Sequence, residues 1–180
     1  MKTLSKEKTR EVITALYNKL GRQKPKEIDK LVNSKLFKLG FFQYRRSVPD
    51  LWSSNPLFNS SVKKIYESVV TFNNYESKER EIFIPKIIQH LKYSGIKDCF
   101  IVGNLFINDN FEIAASLSTE QIADIQYGDE YYLFDDTIDW LFTHTHEGFS
   151  FLAGNKKFMD EFKKSFPDYQ KYEINEPFLD

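Results

Sequence analysis

Two histidines two residues apart, His144 and His146, are the first residues in this chain whose spacing suggests chemistry. They end a segment, Ile138 to His146, that reads as a strand. Ile138, Trp140, Phe142, His144 and His146 share one parity and therefore one face, while Asp139, Leu141, Thr143 and Thr145 take the other. Strand rise puts the two histidine Cα atoms roughly 7 Å apart. A metal-dependent hydrolase could use such a pair, but a catalytic zinc needs a third protein ligand and an open position. Glu147, Asp139 or His90, the one other histidine, could supply a ligand. The structural alternative is that both imidazoles close the end of a core face beside a tight turn. Nothing of the form His-x-His-x-Asp extends the motif, which favours this alternative. Cys99 lies inside Asp98-Cys99-Phe100-Ile101-Val102, where a thiol is expected to be inert packing. The chain has no Gly-x-Ser-x-Gly elbow, phosphate loop or dinucleotide fingerprint.

Charge is distributed more tellingly than these motifs. The formal net charge is −1, yet residues 1–46 carry a net of +9, and residues 98–155 hold eleven carboxylates with no Lys or Arg. Most of these carboxylates fall at expected turns or on polar strand parity, so they should project outward and create a negative potential. Glu130, Tyr131, Tyr132, Asp135, Asp136 and Asp139 form the expected partner-binding set, because tyrosine favours interfaces. Such a surface suits a basic protein partner, for example a nuclease. The competing expectation is that the acidic surface pairs internally with the basic helices. The basic stretch from Lys19 to Arg46, with Phe41, Phe42 and Tyr44 adjacent, invites a nucleic-acid reading. No helix-turn-helix or RNA-binding signature accompanies it, so a solvated lysine face is favoured.

The elements that would carry these residues follow from periodicity. Val12, Ile13, Leu16, Tyr17 and Leu20 mark one helix, and Ile28 to Leu39 a second. A loop over 41–58 leads to a third, with Val62, Ile65, Tyr66, Val69, Val70 and Phe72 inward. Ser77 caps a fourth, which Pro85 kinks or restarts and Gly95 ends. The period then changes. Cys99 to Val102 is a short apolar strand, and Leu105–Ile107 and Phe111–Ala115 form a hairpin about Asn108-Asp109-Asn110. Ser118 and Gln121 suggest a capping box. Tyr131–Phe134, Ile138–His146 and Phe149–Leu152 are strands, and Asn155 caps a last amphipathic helix. The expected fold is α+β in one domain over 1–180: a basic, mainly helical 1–97 packed on an antiparallel meander with its final helix in 98–180. No apolar run approaches the roughly 18 residues of a membrane span. The charged first ten residues show no secretory h-region, and one cysteine suits a reducing cytoplasm.

The stretch Tyr131-Tyr132-Leu133-Phe134-Asp135-Asp136-Thr137-Ile138-Asp139-Trp140-Leu141-Phe142, with His146-Glu147-Gly148 and Ala153-Gly154, resembles the C-terminal part of small bacterial proteins of the toxin-immunity type. The resemblance covers roughly the last third of the chain. It implies a fold signature with no catalytic residue and no cofactor to carry over. The leading expectation is therefore a cytoplasmic, non-enzymatic protein that neutralises a toxin by occlusion through an acidic sheet face. A metal-dependent hydrolase built on His144 and His146 with Glu147, and a nucleic-acid-binding module, are the alternatives.

Overall fold

The computed structural model describes residues 1–19, 66–73, 77–105, 111–125, 130–144 and 149–173. The helix expected over 28–39, the loop over 41–58 and the tip of the 108–110 hairpin lie outside the described residues. In chain order the elements are β1 (Lys2–Thr3), α1 (Lys6–Lys19), β2 (Ser68–Asn73), α2 (Ser77–Tyr93), β3 (Asp98–Leu105) and β4 (Phe111–Ser118). A 3-10 turn (Thr119–Asp124) follows, then β5 (Glu130–Phe134), β6 (Trp140–His144), β7 (Phe149–Gly154), α3 (Lys156–Ser165) and a second 3-10 turn (Pro167–Lys171). The strands make one seven-stranded sheet in the order β1-β4-β3-β5-β6-β7-β2, antiparallel at every pairing. The fold is α+β, as the change of period implies.

Helix α1 begins where Ser5 accepts a hydrogen bond from the Lys8 amide at 3.2 Å. Thr9, Val12, Ile13 and Leu16, spaced i, i+3, i+4 and i+7, are its buried face. Helix α2 runs unbroken through Pro85, whose exposed position leaves the unbonded carbonyl open to water. It ends at Gly95, where φ is +79°. There the Ile96 amide reaches Leu91 O and the Gly95 amide reaches Lys92 O, the paired closure of a helix C-terminus. At α3, the Asn155 side chain accepts from the Phe158 amide at 2.9 Å, and Glu67 accepts from the Lys156 amide at 2.5 Å. Both satisfy donors that a helix start leaves orphaned.

One row of side chains crosses the sheet: Ala115, Ile101, Leu133, Phe142, Leu152 and Val70 stand opposite one another in register. All six are 0% exposed. Phe83, Ile84, Ile87 and Leu91 of α2 and Phe158, Met159 and Phe162 of α3 join them in one core, so both helices cover this face. The row behind it, Val102, Tyr132, Thr143, Phe151 and Thr71, is also buried. Helix α1 lies on that side: Lys8 Nζ sits 5.2 Å over the ring of Phe100, whose parity opposes Cys99 and Ile101. Burying one such aliphatic or aromatic side chain contributes about 1.5–3 kcal/mol, and here both sheet faces collect that term.

Two expectations are corrected. The third helix is replaced, over Ser68–Asn73, by strand β2, which pairs with β7 along its whole length. Its run of Val69, Val70, Thr71 and Phe72 is β-branched and aromatic, and Val70 and Phe72 enter the core at a period of two. The strand expected over 138–146 starts at Trp140, because Ile138 is in a turn at φ +53°. Its second parity is not polar surface, since all five residues of β6 are buried. A sheet covered on both faces needs apolar or small residues at every position.

Gly154 stands opposite Trp140 and Ser68 at the end of β7. A Cβ there would lie 2.7 Å from Phe158 Cδ1, and that ring is wedged between Trp140 at 6.1 Å and His90 at 4.5 Å. Gly154→Ala is therefore expected to cost about 1–3 kcal/mol by overpacking, read as a lowered urea midpoint with an unchanged m-value.

Candidate acidic end of the sheet

The turn between β5 and β6 is organised by one carboxylate. Asp135 Oδ1 accepts from the Thr137 amide at 2.9 Å, the Thr137 hydroxyl at 2.6 Å and the Ile138 amide at 3.2 Å. Its Oδ2 accepts from the Trp140 indole at 2.9 Å. The Asp139 amide reaches the Thr137 hydroxyl at 3.2 Å, and the Asp139 carbonyl accepts from the Asn155 amide at 3.1 Å. Tyr66, which is buried, donates to Ile138 O at 3.1 Å. Burial, then the charges of Asp139 and Asp135, push the Tyr66 phenol above its usual range, so it stays a donor. Asp135 is half-buried and spent on these bonds; Asp136 and Asp139 are exposed. Grouping all three as one outward-facing set is corrected on this point.

Strand register gathers further carboxylates beside this turn. Asp98 opens β3 opposite Ser118, the last residue of β4, and Phe134, the last of β5, stands opposite Phe100. The 119–124 turn and the 135–139 turn therefore lie at the same end of the sheet. Asp98, Glu120, Asp124, Asp136 and Asp139 are exposed there. Lysines from both helical layers reach in: Lys8 to Asp136 at 3.3 Å, Lys19 to Asp139 at 3.7 Å and Lys92 to Glu120 at 2.9 Å. The hydrogen bond from Lys92 holds the Glu120 carboxyl below its usual range, and Lys8 is held above its own by hydrogen bonds to Glu11 and Asp136. Asp98 and Asp124 have no ion-pair partner among the described residues. The expected internal pairing with basic helices is thus present for α1 and α2; Lys24 to Arg46 lie outside the described residues.

Other expected partner residues are placed elsewhere. Tyr131 and Tyr132 are both 0% exposed, which corrects their assignment to a contact surface. Tyr132 sits in the central row of the α1 face, and Tyr131 stacks on His144 at 5.5 Å on the other. Consecutive strand residues point to opposite faces, and here both faces are covered. Glu130 stands opposite Asn104, a register position at the far end of the sheet.

His144 is 2% exposed, and its Nδ1 lies 2.9 Å from Ser150 Oγ. His146 and Glu147 lie outside the described residues, and with them the His-x-His pair. Among the described residues no three His, Cys, Asp or Glu side chains gather in a way that could hold a metal. Cys99 is buried, and burial, aided by the charges of Asp135 and Asp98, raises its thiol to about 12. At neutral pH it is a protonated, inaccessible thiol.

His90 has a different environment. It is 1% exposed, between the rings of Phe158 at 4.5 Å and Phe162 at 5.5 Å. Neither ring nitrogen meets a hydrogen-bond partner, although the Phe158 backbone lies close. Its only sequence signal is a polar residue inside the apolar series Ile87, Ile88 and Leu91 of α2.

Comparison with protein-family models, with curated proteins and with solved structures finds no match. No described helix is long and apolar enough to cross a membrane.

Two outcomes follow from this geometry. Asp135→Asn places an amide where the indole and two backbone donors need acceptors, and is expected to cost about 2–3 kcal/mol, against about 0.5 kcal/mol or less for Asp136→Asn. Urea titrations of the two variants compare them directly. Burial lowers the His90 pKa from 6.5, outweighing the Phe158 backbone and Glu161. The unfolded chain then binds more protons at this site, so stability is complete above the unfolded value and is lost as pH falls through it. Stability measured from pH 7.5 to 5 should decline in the wild type, and His90→Phe should flatten that decline.

Proposed function

We propose that this chain is a non-enzymatic protein of the immunity type, which acts in the cytoplasm and holds a cationic protein partner, such as a nuclease toxin, against the acidic end of its sheet. The observation that supports this reading is the gathering of exposed Asp98, Glu120, Asp124, Asp136 and Asp139 at one end by strand register. Because the sheet is covered on both faces, the occluding surface is this end rather than a sheet face. Its internal ion pairs do not oppose the reading. Exposed pairs contribute about 0–1 kcal/mol each, so a partner's arginines can replace Lys8 and Lys19 at small cost. Asp98 and Asp124 add charge that no described lysine neutralises. Five carboxylates on one rim would steer a basic partner and raise its association rate. Asp135 supports the surface by holding the turn that presents Asp136 and Asp139. The resemblance to immunity-type proteins over Tyr131–Phe142 agrees with this role.

The experiment pairs this protein with the product of the adjacent reading frame. An Asp98→Asn, Asp124→Asn, Asp136→Asn variant keeps the Asp135 clamp and should fold normally. Stopped-flow association at two salt concentrations is expected to show slowing on the order of tenfold and a flatter salt response. Equal rates and equal salt response in both proteins would remove the acidic end from the function.

A further inference from the structure

A second feature, independent of the acidic end, lies where α3 meets α2. His90 of α2 is 1% exposed and sits between the rings of Phe158 at 4.5 Å and Phe162 at 5.5 Å. Neither ring nitrogen has a hydrogen-bond partner. A neutral imidazole survives in such a site, but an imidazolium does not, because a buried charge without a partner is strongly disfavoured. The charged groups nearby do not supply that partner. Glu161, half-buried, and Lys164, exposed, belong to α3 and line the groove outside His90, as does the exposed phenol of Tyr93 on α2. Lys86, half-buried, precedes His90 by one turn of α2. The sheet residues of this core, Val70, Trp140, Phe142 and Leu152, carry no charge. Glu161 attracts an imidazolium, but burial outweighs it.

Helix α3 is also the element that can leave without breaking the sheet. Strand β7 ends before it, at Gly154, and the described chain after it pairs with the sheet at the isolated bridge Phe72–Glu173. Beyond its apolar packing, α3 is tied down by the Asn155 amide to Asp139 O at 3.1 Å and by Lys163 Nζ to Ser68 Oγ at 3.1 Å. We propose that α3 is a pH-gated latch: His90 takes up a proton only when α3 swings off α2, and that release withdraws support from the 135–139 turn. While α3 is closed, the rings of Phe158 and Phe162 keep water from the imidazole. Once it opens, His90 is solvated and titrates near its ordinary value of about 6.5. The proton then holds the helix open. Release lifts Phe158 off Trp140, whose indole is bonded to Asp135, and takes the Asn155 amide from the Asp139 carbonyl. The latch is therefore closed above the open-state value and loosens as pH falls through it. Its opening constant should rise up to about 30-fold between pH 7.5 and pH 5. Because the strand ladders stay paired, this is a local opening and not global unfolding.

Hydrogen exchange of the whole protein, followed by NMR from pH 7.5 to 5 and at low urea concentrations, tests this. Rates are corrected for the intrinsic pH dependence of exchange. The α3 amides of Met159 and Phe162 are expected to lose protection tenfold or more on acidification, with little dependence on urea. The amides of Ile101 and Val102 in β3 should remain better protected and respond steeply to urea, as groups opened by global unfolding do. The Trp140 indole N–H should lose protection together with α3. His90→Phe and His90→Leu, which fill the site without a titrating group, should each remove the pH response of α3; either variant that keeps the wild-type fold suffices. The latch is overturned if the α3 amides exchange only together with Ile101 and Val102, if their protection does not change with pH, or if the change persists in both variants. An indole N–H that stays protected while α3 opens would overturn the link to the turn. None of these readouts involves the partner proposed for the acidic end, so the two proposals fail separately.

Discussion

The Asp135 carboxylate is the constraint on which the β5–β6 half of the sheet depends. Four hydrogen bonds end on it, from Thr137, Ile138 and Trp140. They hold Ile138 at φ +53°, a conformation costly for a β-branched residue by about 1–3 kcal/mol. Bonds to a charged acceptor contribute about 1.5–3 kcal/mol, so the turn over-determines the strained residue. The indole bond also sets the Trp140 ring, which stacks on Phe158 of α3. Phe158 in turn meets His90 of α2. One surface turn therefore aligns a chain of aromatic contacts that runs through the strand and into both helices of that face.

Covering both sheet faces decides where polarity can go. With the rows through Leu133 and Tyr132 both buried, carboxylates are left with the turns and strand ends. Antiparallel register then sorts them. Turns 119–124 and 135–139 fall at one end, and Glu130, opposite Asn104, falls at the other. The continuous acidic block in the sequence is thus divided in space. The first end is screened in part by lysines from helices far away in the chain, such as Lys8 beside Asp136. Those pairs are exposed and weak, which leaves the acidic end able to exchange partners.

Several elements were legible without coordinates. The helices α1, α2 and α3 follow from apolar spacing, α3 also from its cap at Asn155, and β5 and β7 from short apolar runs between turn residues. The 119–124 segment was legible as a short helix from Ser118 and Gln121, whose side chain does accept from the Ser118 amide at 3.0 Å. Strand β2 was not legible as a strand. Val69, Val70 and Phe72 fit a helical face as well as a strand, and only pairing with β7 separates the two. Of the candidate site, Asp136 and Asp139 were legible as exposed charges. The burial of Tyr131 and Tyr132 was not, because alternation assumes one wet face.

By itself, then, the sequence determined the α+β class, a turn at Asp135–Thr137 and the segregation of basic from acidic residues. These depend on local period, turn chemistry and charge count, none of which requires knowing which elements pack together. Only the tertiary structure decided that Asp135 is a clamp while Asp136 and Asp139 are surface. It also decided that β6 is dry on both sides and that His90 is buried between the rings of Phe158 and Phe162. Those outcomes depend on which elements cover a residue, and the covering groups come from distant parts of the chain: Tyr66 for Ile138, Lys19 for Asp139 and Phe158 for His90.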